Sequence, residues 1–564
     1  MFANGLLLLN SWVAEKRAVI CEPWGEMSTL TGLKAGVGHR GRDLRTGLLR
    51  SVTTFGGWTL VSRVLGLARD IVLGVVFGPS AATDAFFVAF KIPNFLRRLF
   101  AEGAFQQAFV PVLSEARQAG GDAAVRQLFA RVSGCLALVL LALTLAAMLG
   151  SPALIRVFAP GFADNAEQLA LAGELLRLTF PYLLLVALTA AAAAVLNTYD
   201  SFGPPAFAPV LLNLCLIGAA VWLAPALETG VMALAFAVPV AGALQLALQL
   251  PFLWKRGLLA WPRPNWQDPG VRRILRLMGP TLFSTSVQQI NLLLDTILAS
   301  FLIVGSISWL YWSDRLMEFP LGVFGIALGT VILPRLSGEF AAAGRERFSA
   351  TLDWALRVTL IIILPATAGL IVLAEPLLTT LFQYGRFTAM DVEAASWSLM
   401  AYGLGLFGFV LVKVLVPGYF SRQDTRGPVR CAISAMLVNM VLSVSLVLLL
   451  FGTGIAHAGL ALATGIAAWV NAGLLYRGLR RDGVYIPGPG WRVLMSQALI
   501  AVGVMVAVLY WPAQQQAFWL EQGAVGRVLA LGGLILSGGA AYFAVLFGLG
   551  LRPKQLREPE AQHG

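Results

Sequence analysis

Val110-Pro111-Val112-Leu113-Ser114 recurs 223 residues later as Leu333-Pro334-Arg335-Leu336-Ser337. Two further pairs keep nearly the same offset. Phe158 before Gly161-Phe162 answers Phe382 before Gly385-Arg386-Phe387, and Asp200 before Pro204 answers Asp424 before Pro428, each 224 residues apart. Proline and glycine punctuate helix ends widely, so a single match decides little. Three matches at one offset, all between apolar runs, describe a chain built twice.

The apolar runs set the class. The 564 residues are 58% hydrophobic and 12% charged, with mean hydropathy +0.77. That is more apolar surface than a soluble core buries, and the chain reads as an all-α polytopic membrane protein. Windows of membrane length give fourteen spans, near 50–77, 82–110, 132–151, 170–196, 206–225, 230–254, 278–303, 306–334, 351–374, 394–419, 430–451, 456–476, 493–511 and 525–550. Six spans, an even number, fit one repeat period, so both copies keep one orientation and are related by an axis along the membrane normal.

The expected architecture is two six-helix lobes related by a parallel repeat, plus two C-terminal helices. Residues 1–47 read as a disordered cytoplasmic extension, 48–255 as the N-terminal lobe and 256–480 as the C-terminal lobe. Residues 481–551 hold the extra helices and 552–564 a cytoplasmic tail. The apolar patch Gly5–Leu9 precedes the basic residues of the extension, the reverse of a secretory signal, and Met27 is an alternative start.

Lys and Arg counts orient the spans. With both termini cytoplasmic, the inner connections and C-terminal tail carry 22 of these residues and the outer connections only Arg156, Arg386 and Arg527. The same distribution explains the net charge of +12 without nucleic acid, because the excess sits where it sets topology.

Nine cations fall inside the spans themselves, with Arg63, Arg69, Lys91, Arg97, Arg98 and Arg315 as the main group. A cation at the bilayer centre costs about 3 kcal/mol on insertion scales and marks a polar cavity or a partner. Arg177, Arg357 and Lys413 stand nearer span ends, where long cations reach the headgroups. Asp84, Lys91, Asn94, Arg98 and Glu102 share one helical face over 82–110, kinked at Pro93. Arg63 and Asp70 stand two turns apart on the first span, with Arg69 turned aside. Asp314, Arg315 and Glu318 lie within one turn, and Arg315 is the repeat equivalent of Lys91. Both lobes are therefore expected to turn a mixed, net cationic face towards one cavity.

These same residues carry a family resemblance. Ser62-Arg63-Val64-Leu65-Gly66-Leu67-Ala68-Arg69-Asp70, the run from Thr83-Asp84 through Lys91-Ile92-Pro93-Asn94 to Phe105, and Asp314-Arg315-Leu316-Met317-Glu318-Phe319-Pro320 resemble the bacterial MurJ (MviN) family. So do Ala159-Pro160-Gly161-Phe162, Leu381-Phe382-Gln383-Tyr384-Gly385 and Ser421-Arg422-Gln423-Asp424. The resemblance covers about Leu48 to Leu551 and implies a lipid II flippase of peptidoglycan synthesis. It further implies fourteen helices in the inner membrane, working by alternating access. In the family, the residues corresponding to Arg63, Arg69, Asp84, Arg97 and Arg315 are functional.

The substrate that this implies is an undecaprenyl diphosphate bearing a disaccharide-pentapeptide, and guanidinium forks suit its diphosphate. The expected substrate-binding set is Arg63, Arg69, Asp84, Arg97, Arg98, Glu102, Asp314, Arg315 and Glu318. The polyprenyl tail stays in lipid, with 493–511 and 525–550 as the helices nominated to hold it. Asp295, mid-span with Asn439 and Thr464 on neighbouring spans, is the expected ion-coupling set. Membrane lipid, a coupling ion and proteins of cell-wall synthesis are the further expected partners.

Rival classes lack their residues. No Gly-Lys-Ser/Thr occurs for an ATP-driven pump, and Gly403-Leu404-Gly405-Leu406-Phe407-Gly408 lies within a span, where it reads as helix packing. The cysteines (Cys21, Cys135, Cys215, Cys431) and three histidines are scattered, so no cofactor, metal or enzyme is expected. A polysaccharide-lipid flippase or a cation-coupled drug antiporter of the same superfamily is the alternative. The arginine excess disfavours the antiporter, whose ligands are cations.

Overall fold

The computed structural model describes residues 37–99, 104–341 and 344–552. The chain divides into Met1–Thr54 and Phe55–Gly564. In the first unit, residues 37–54 are described and are helical. Of the expected N-terminal extension, 1–36 lie outside the described residues, as do 553–564 of the tail. The second unit carries the remainder of the fold.

Every regular element among the described residues is a helix. The first half contains α1 (Val37–Phe77), α2 (Ala81–Arg97), α3 (Phe105–Leu149), α4 (Ser151–Phe158), α5 (Ala166–Thr179), α6 (Tyr182–Thr198), α7 (Gly203–Gly218) and α8 (Val231–Lys255). The second contains α9 (Pro269–Ala299), α10 (Ser306–Pro320), α11 (Ile326–Ala341), α12 (Arg345–Val372), α13 (Ala374–Phe382), α14 (Ala389–Phe420), α15 (Arg426–Leu450) and α16 (Ala456–Arg481). Then come α17 (Trp491–Ala513), α18 (Gln516–Glu521) and α19 (Ala524–Gly548). The starts are written in the sequence. Ser80 accepts from the Thr83 amide to cap α2, Asp268 caps α9 ahead of Pro269, and Thr388 with Asp391 forms a reciprocal capping box on α14.

Ten helical stretches among the described residues are long and apolar enough to cross a membrane, the pair α5–α6 counting as one across its break at Phe180-Pro181. The other four expected spans overlap α1, α2, α9 and the α10–α11 pair, which are not among those ten, and the expected span 82–110 runs past α2 into the start of α3. The cationic connection over 111–131 is not a loop. It is helical within α3, which breaks at Gly120-Gly121, where Gly121 has φ 60.

Core packing differs between the two ends. Near the cationic connections there are two smaller cores. One, mostly of the first half, joins Phe109 and Leu128 of α3 to Val195, Leu253 and Ile274 of α9, and the other joins Leu336, Leu352, Leu415 and Leu475 of the second half. The largest core runs across both halves and holds Leu73, Phe87, Trp312, Phe382 and Phe387. Phe87 stacks on Tyr311 with ring centroids 4.0 Å apart and meets Trp312 edge-on at 5.6 Å. The halves are thus sealed to each other by aromatic packing at the end away from the cationic connections. The formal GxGxxG motif sits at the α14–α16 contact, with Gly405 against Gly465 and Gly408 against Trp469.

Candidate functional site

Asp70, buried near the end of α1, organises the cationic residues around it. Arg69 donates to Asp70 Oδ1 from Nε (2.9 Å) and from a terminal nitrogen (2.7 Å), to Asn213 Oδ1 of α7 (3.0 Å) and to the Tyr311 hydroxyl of α10 (3.2 Å). The Tyr311 hydroxyl donates to Asp70 Oδ1 at 2.8 Å. Arg315 stands 3.6 Å from Asp70 Oδ2, pairs with Glu318 at 2.8 Å and lies over the Tyr311 ring. Arg69 is therefore buried and fully committed, whereas the Arg315 side chain is one-third exposed and shared between two carboxylates. A buried charge persists only when paired and hydrogen-bonded, and this network meets that requirement for Arg69.

Asp84 has a different job. Its carboxylate accepts from the Gly305 amide (2.7 Å), the Ser308 amide (2.9 Å) and the Ser308 hydroxyl (2.5 Å), capping the start of α10 from the other half. Asp84 and Ser308 are themselves 224 residues apart, the repeat offset. Two backbone crossings flank this cap. The Gly161 amide donates to Ser300 Oγ at 3.0 Å, and the Arg386 amide donates to the Val75 carbonyl at 2.9 Å. At both crossings the glycine, Gly161 or Gly385, leaves no room for a Cβ against the opposing backbone.

A second polar group lies between the halves. Lys91 of α2 interacts electrostatically with Asp295 of α9 and Asp314 of α10, and Asp314 in turn with Arg98, Arg315 and Glu318. Asp295 accepts from Ser443 Oγ at 3.3 Å. Thr464 donates to Asn439 Oδ1 at 3.5 Å, and Asn439 is fully buried with its Nδ2 unpaired.

The remaining expected residues are more open. Arg63 is exposed, and its guanidinium rests against Gly322 in the π turn after α10. Arg97 and Arg98 are half-buried, and Arg97 donates to Asn94 at 2.8 Å. Glu102 lies outside the described residues. The geometry thus brings Arg69 and Arg315 to Asp70, sets Lys91 and Arg98 within electrostatic range of Asp314, and places Asp84 at the start of α10.

Asn213, Tyr311, Ser308 and Ser443 join these groups although the sequence reading does not single them out. Ser308 carries a signal, being the repeat partner of Asp84. Asn213 carries one too, as an amide in an apolar run. Tyr311 and Ser443 carry none, since only the packing places them beside a carboxylate.

Beside the second half lies an apolar cavity of about 820 Å3, lined among others by Leu360, Phe407, Ile466, Trp469 and Trp491. It draws on α12, α14, α16 and α17. Of the two helices nominated for the lipid tail, α17 lines it and α19 does not. Gly538 of α19 packs under Leu509 of α17 instead.

The chain is similar to known proteins in sequence and in fold. A model of the family described as "Lipid II flippase MurJ" matches residues 73–532. The chain is 48% identical over 517 residues to the "Probable lipid II flippase MurJ" of Vibrio cholerae, covering 90% of this chain and 98% of that one. It is 42% identical over 511 residues to the "Lipid II flippase MurJ" of Burkholderia cenocepacia, with coverages of 90% and 98%. Among solved structures, "Lipid II flippase MurJ, inward closed conformation" superposes with TM-score 0.71 at 27% identity, covering 87% of this chain and 99% of that one.

Proposed function

The chain belongs to the MurJ family of lipid II flippases, and on that premise we propose how its cavity holds and releases the substrate. It is a multi-pass transporter of the bacterial inner membrane, not an enzyme, and it moves lipid II across that membrane for cell-wall synthesis. We read it as fourteen spans in two six-helix lobes plus two C-terminal helices, with both termini cytoplasmic. The equivalent crossings Gly161–Ser300 and Gly385–Val75, with Asp84 on Ser308, support that reading, since a parallel repeat brings like to like across its axis. In this orientation the outer end is closed and the cavity faces the cytoplasm.

The observation that carries the site is the shared bonding of Arg315. It is held by Asp70 and Glu318, carboxylates that a diphosphate replaces with a doubly ionic, bidentate partner. Arg63, Arg97 and Arg98 are exposed or half-buried and join Arg315 as direct ligands. Arg69, fully bonded, positions Asp70 and Tyr311 rather than touching substrate. Asp84 holds the outer end shut until the lobes exchange. Asp314 and Glu318 keep the empty cavity from a prohibitive net charge. The polyprenyl tail lies along the apolar cavity beside α17. Asp295 with Asn439, Thr464 and Ser443 is read as the coupling-ion site, all of its side-chain ligands being hard oxygens.

Arg63→Ala and Arg315→Ala variants are expected to fail to support growth at normal membrane levels, and lipid II is expected to stay inaccessible on the outer face. Lysine at either position should restore part of the activity, supplying charge without the fork. Growth of both alanine variants at normal levels would remove the diphosphate grip.

A further inference from the structure

The connection between α8 and α9 differs from the other cationic connections. Lys255, Arg256 and Arg263, with Arg272 and Arg276 in the first turns of α9, are all exposed. Three tryptophans stand exposed among them, Trp254 at 70%, Trp261 at 83% and Trp266 at 42%. Trp491, beside another such connection, is instead engaged in packing. Its indole donates to Asp353 at 2.7 Å and the Arg357 guanidinium lies over its ring.

The connection does not project into solution. Leu258 is fully buried in the core of the first half. The Arg263 amide donates to the Ala130 carbonyl of α3 at 2.8 Å, and Arg131 pairs with Asp268. The backbone of Arg263-Pro264 crosses directly over Gly134, where any Cβ would collide with it. Gly134 stands just inside the apolar stretch of α3, which begins near residue 132. At about 1.5 Å per residue, the crossing lies within one helical turn of the point where α3 enters the hydrocarbon. Trp261 and Trp266 flank this crossing in the sequence, and an exposed indole suits the headgroup layer, with its ring in the apolar layer and its N–H in the wet one.

We propose that this linker between the lobes is a recognition surface for anionic phospholipid headgroups, with Trp254, Trp261 and Trp266 seated at the interface and Lys255, Arg263 and Arg276 on the phosphates. A basic surface at that depth complements a leaflet rich in anionic lipid. The proposal relies on the orientation given above only for the choice of leaflet.

The test uses the full chain in lipid nanodiscs. A spin label at Trp261→Cys, with the four native cysteines replaced by serine, is expected to collide with oxygen more than with a water-soluble nickel chelate. The opposite preference would place the linker in water and overturn the proposal. In native mass spectrometry against an equal mixture of phosphatidylglycerol and phosphatidylethanolamine, the double variant Lys255→Gln/Arg263→Gln is expected to lose phosphatidylglycerol preference by roughly tenfold or more. An unchanged preference would overturn it as well. Labelling of cysteines at both Ser201 and Gln423 from outside would refute the orientation while leaving the surface itself, read by the spin label, intact.

Discussion

Asp70 is the residue on which the cavity turns, because one carboxylate serves two arginines of different kinds. Removing one partner from a buried ion pair costs about 3–5 kcal/mol. Substitution of Arg69 or Asp70 therefore injures the fold before it can report on transport, and Arg63 and Arg315 are the informative positions. Asp295 raises the same issue in a smaller group. A buried carboxylate that accepts from Ser443, with the Thr464–Asn439 pair on the neighbouring helices, has more neutral oxygens around it than a simple ion pair requires. Asp295→Asn is expected to abolish the ion or pH dependence of transport while leaving lipid II binding within about twofold of the parent. Flux assays across ion and pH gradients, beside a binding assay, would read this. A variant with unchanged ion and pH dependence would make Asp295 a structural residue.

At the scale of elements, the two halves meet where helix ends approach backbone to backbone. Gly385 has φ 58, and a side chain there would meet the Val75 carbonyl as well as the left-handed penalty of about 1–2 kcal/mol. Gly385→Ala is accordingly expected to shift the balance of closed and open outer ends by at least about 5- to 30-fold towards open. The check is disulfide cross-linking of cysteines at Val75 and Arg386, which should fall steeply in the variant. Undiminished cross-linking would mean that the crossing is not a gate. The charged helices belong to this scale too. α1, α2, α9 and α10 carry the intramembrane charges, and they lie outside the ten long apolar stretches.

For the whole molecule, the repeat and the orientation stand or fall together. Asp200 and Gln423, at equivalent positions after α6 and α14, are the two non-glycine residues among those described with positive φ, 58 and 61. Cysteines at Ser201 and Gln423 are expected to react with an impermeant reagent from the cytoplasmic side alone. Reaction of one from outside would break the parallel repeat.

The sequence by itself determined the membrane class, the repeat and the list of intramembrane charges, because hydropathy, the offset near 224 and the high cost of a buried ion are local properties of the chain. It also paired Arg315 with Lys91, through the repeat offset. Only the tertiary structure decided what each charge does. Arg63 and Arg69 are six residues apart on one helix, yet one is exposed and the other commits its guanidinium to Asp70, Asn213 and Tyr311. Asp84 reads from the sequence as a substrate ligand and instead caps α10. Such assignments depend on which groups from distant segments arrive within hydrogen-bond reach, and spacing along a single helix carries no record of its neighbours.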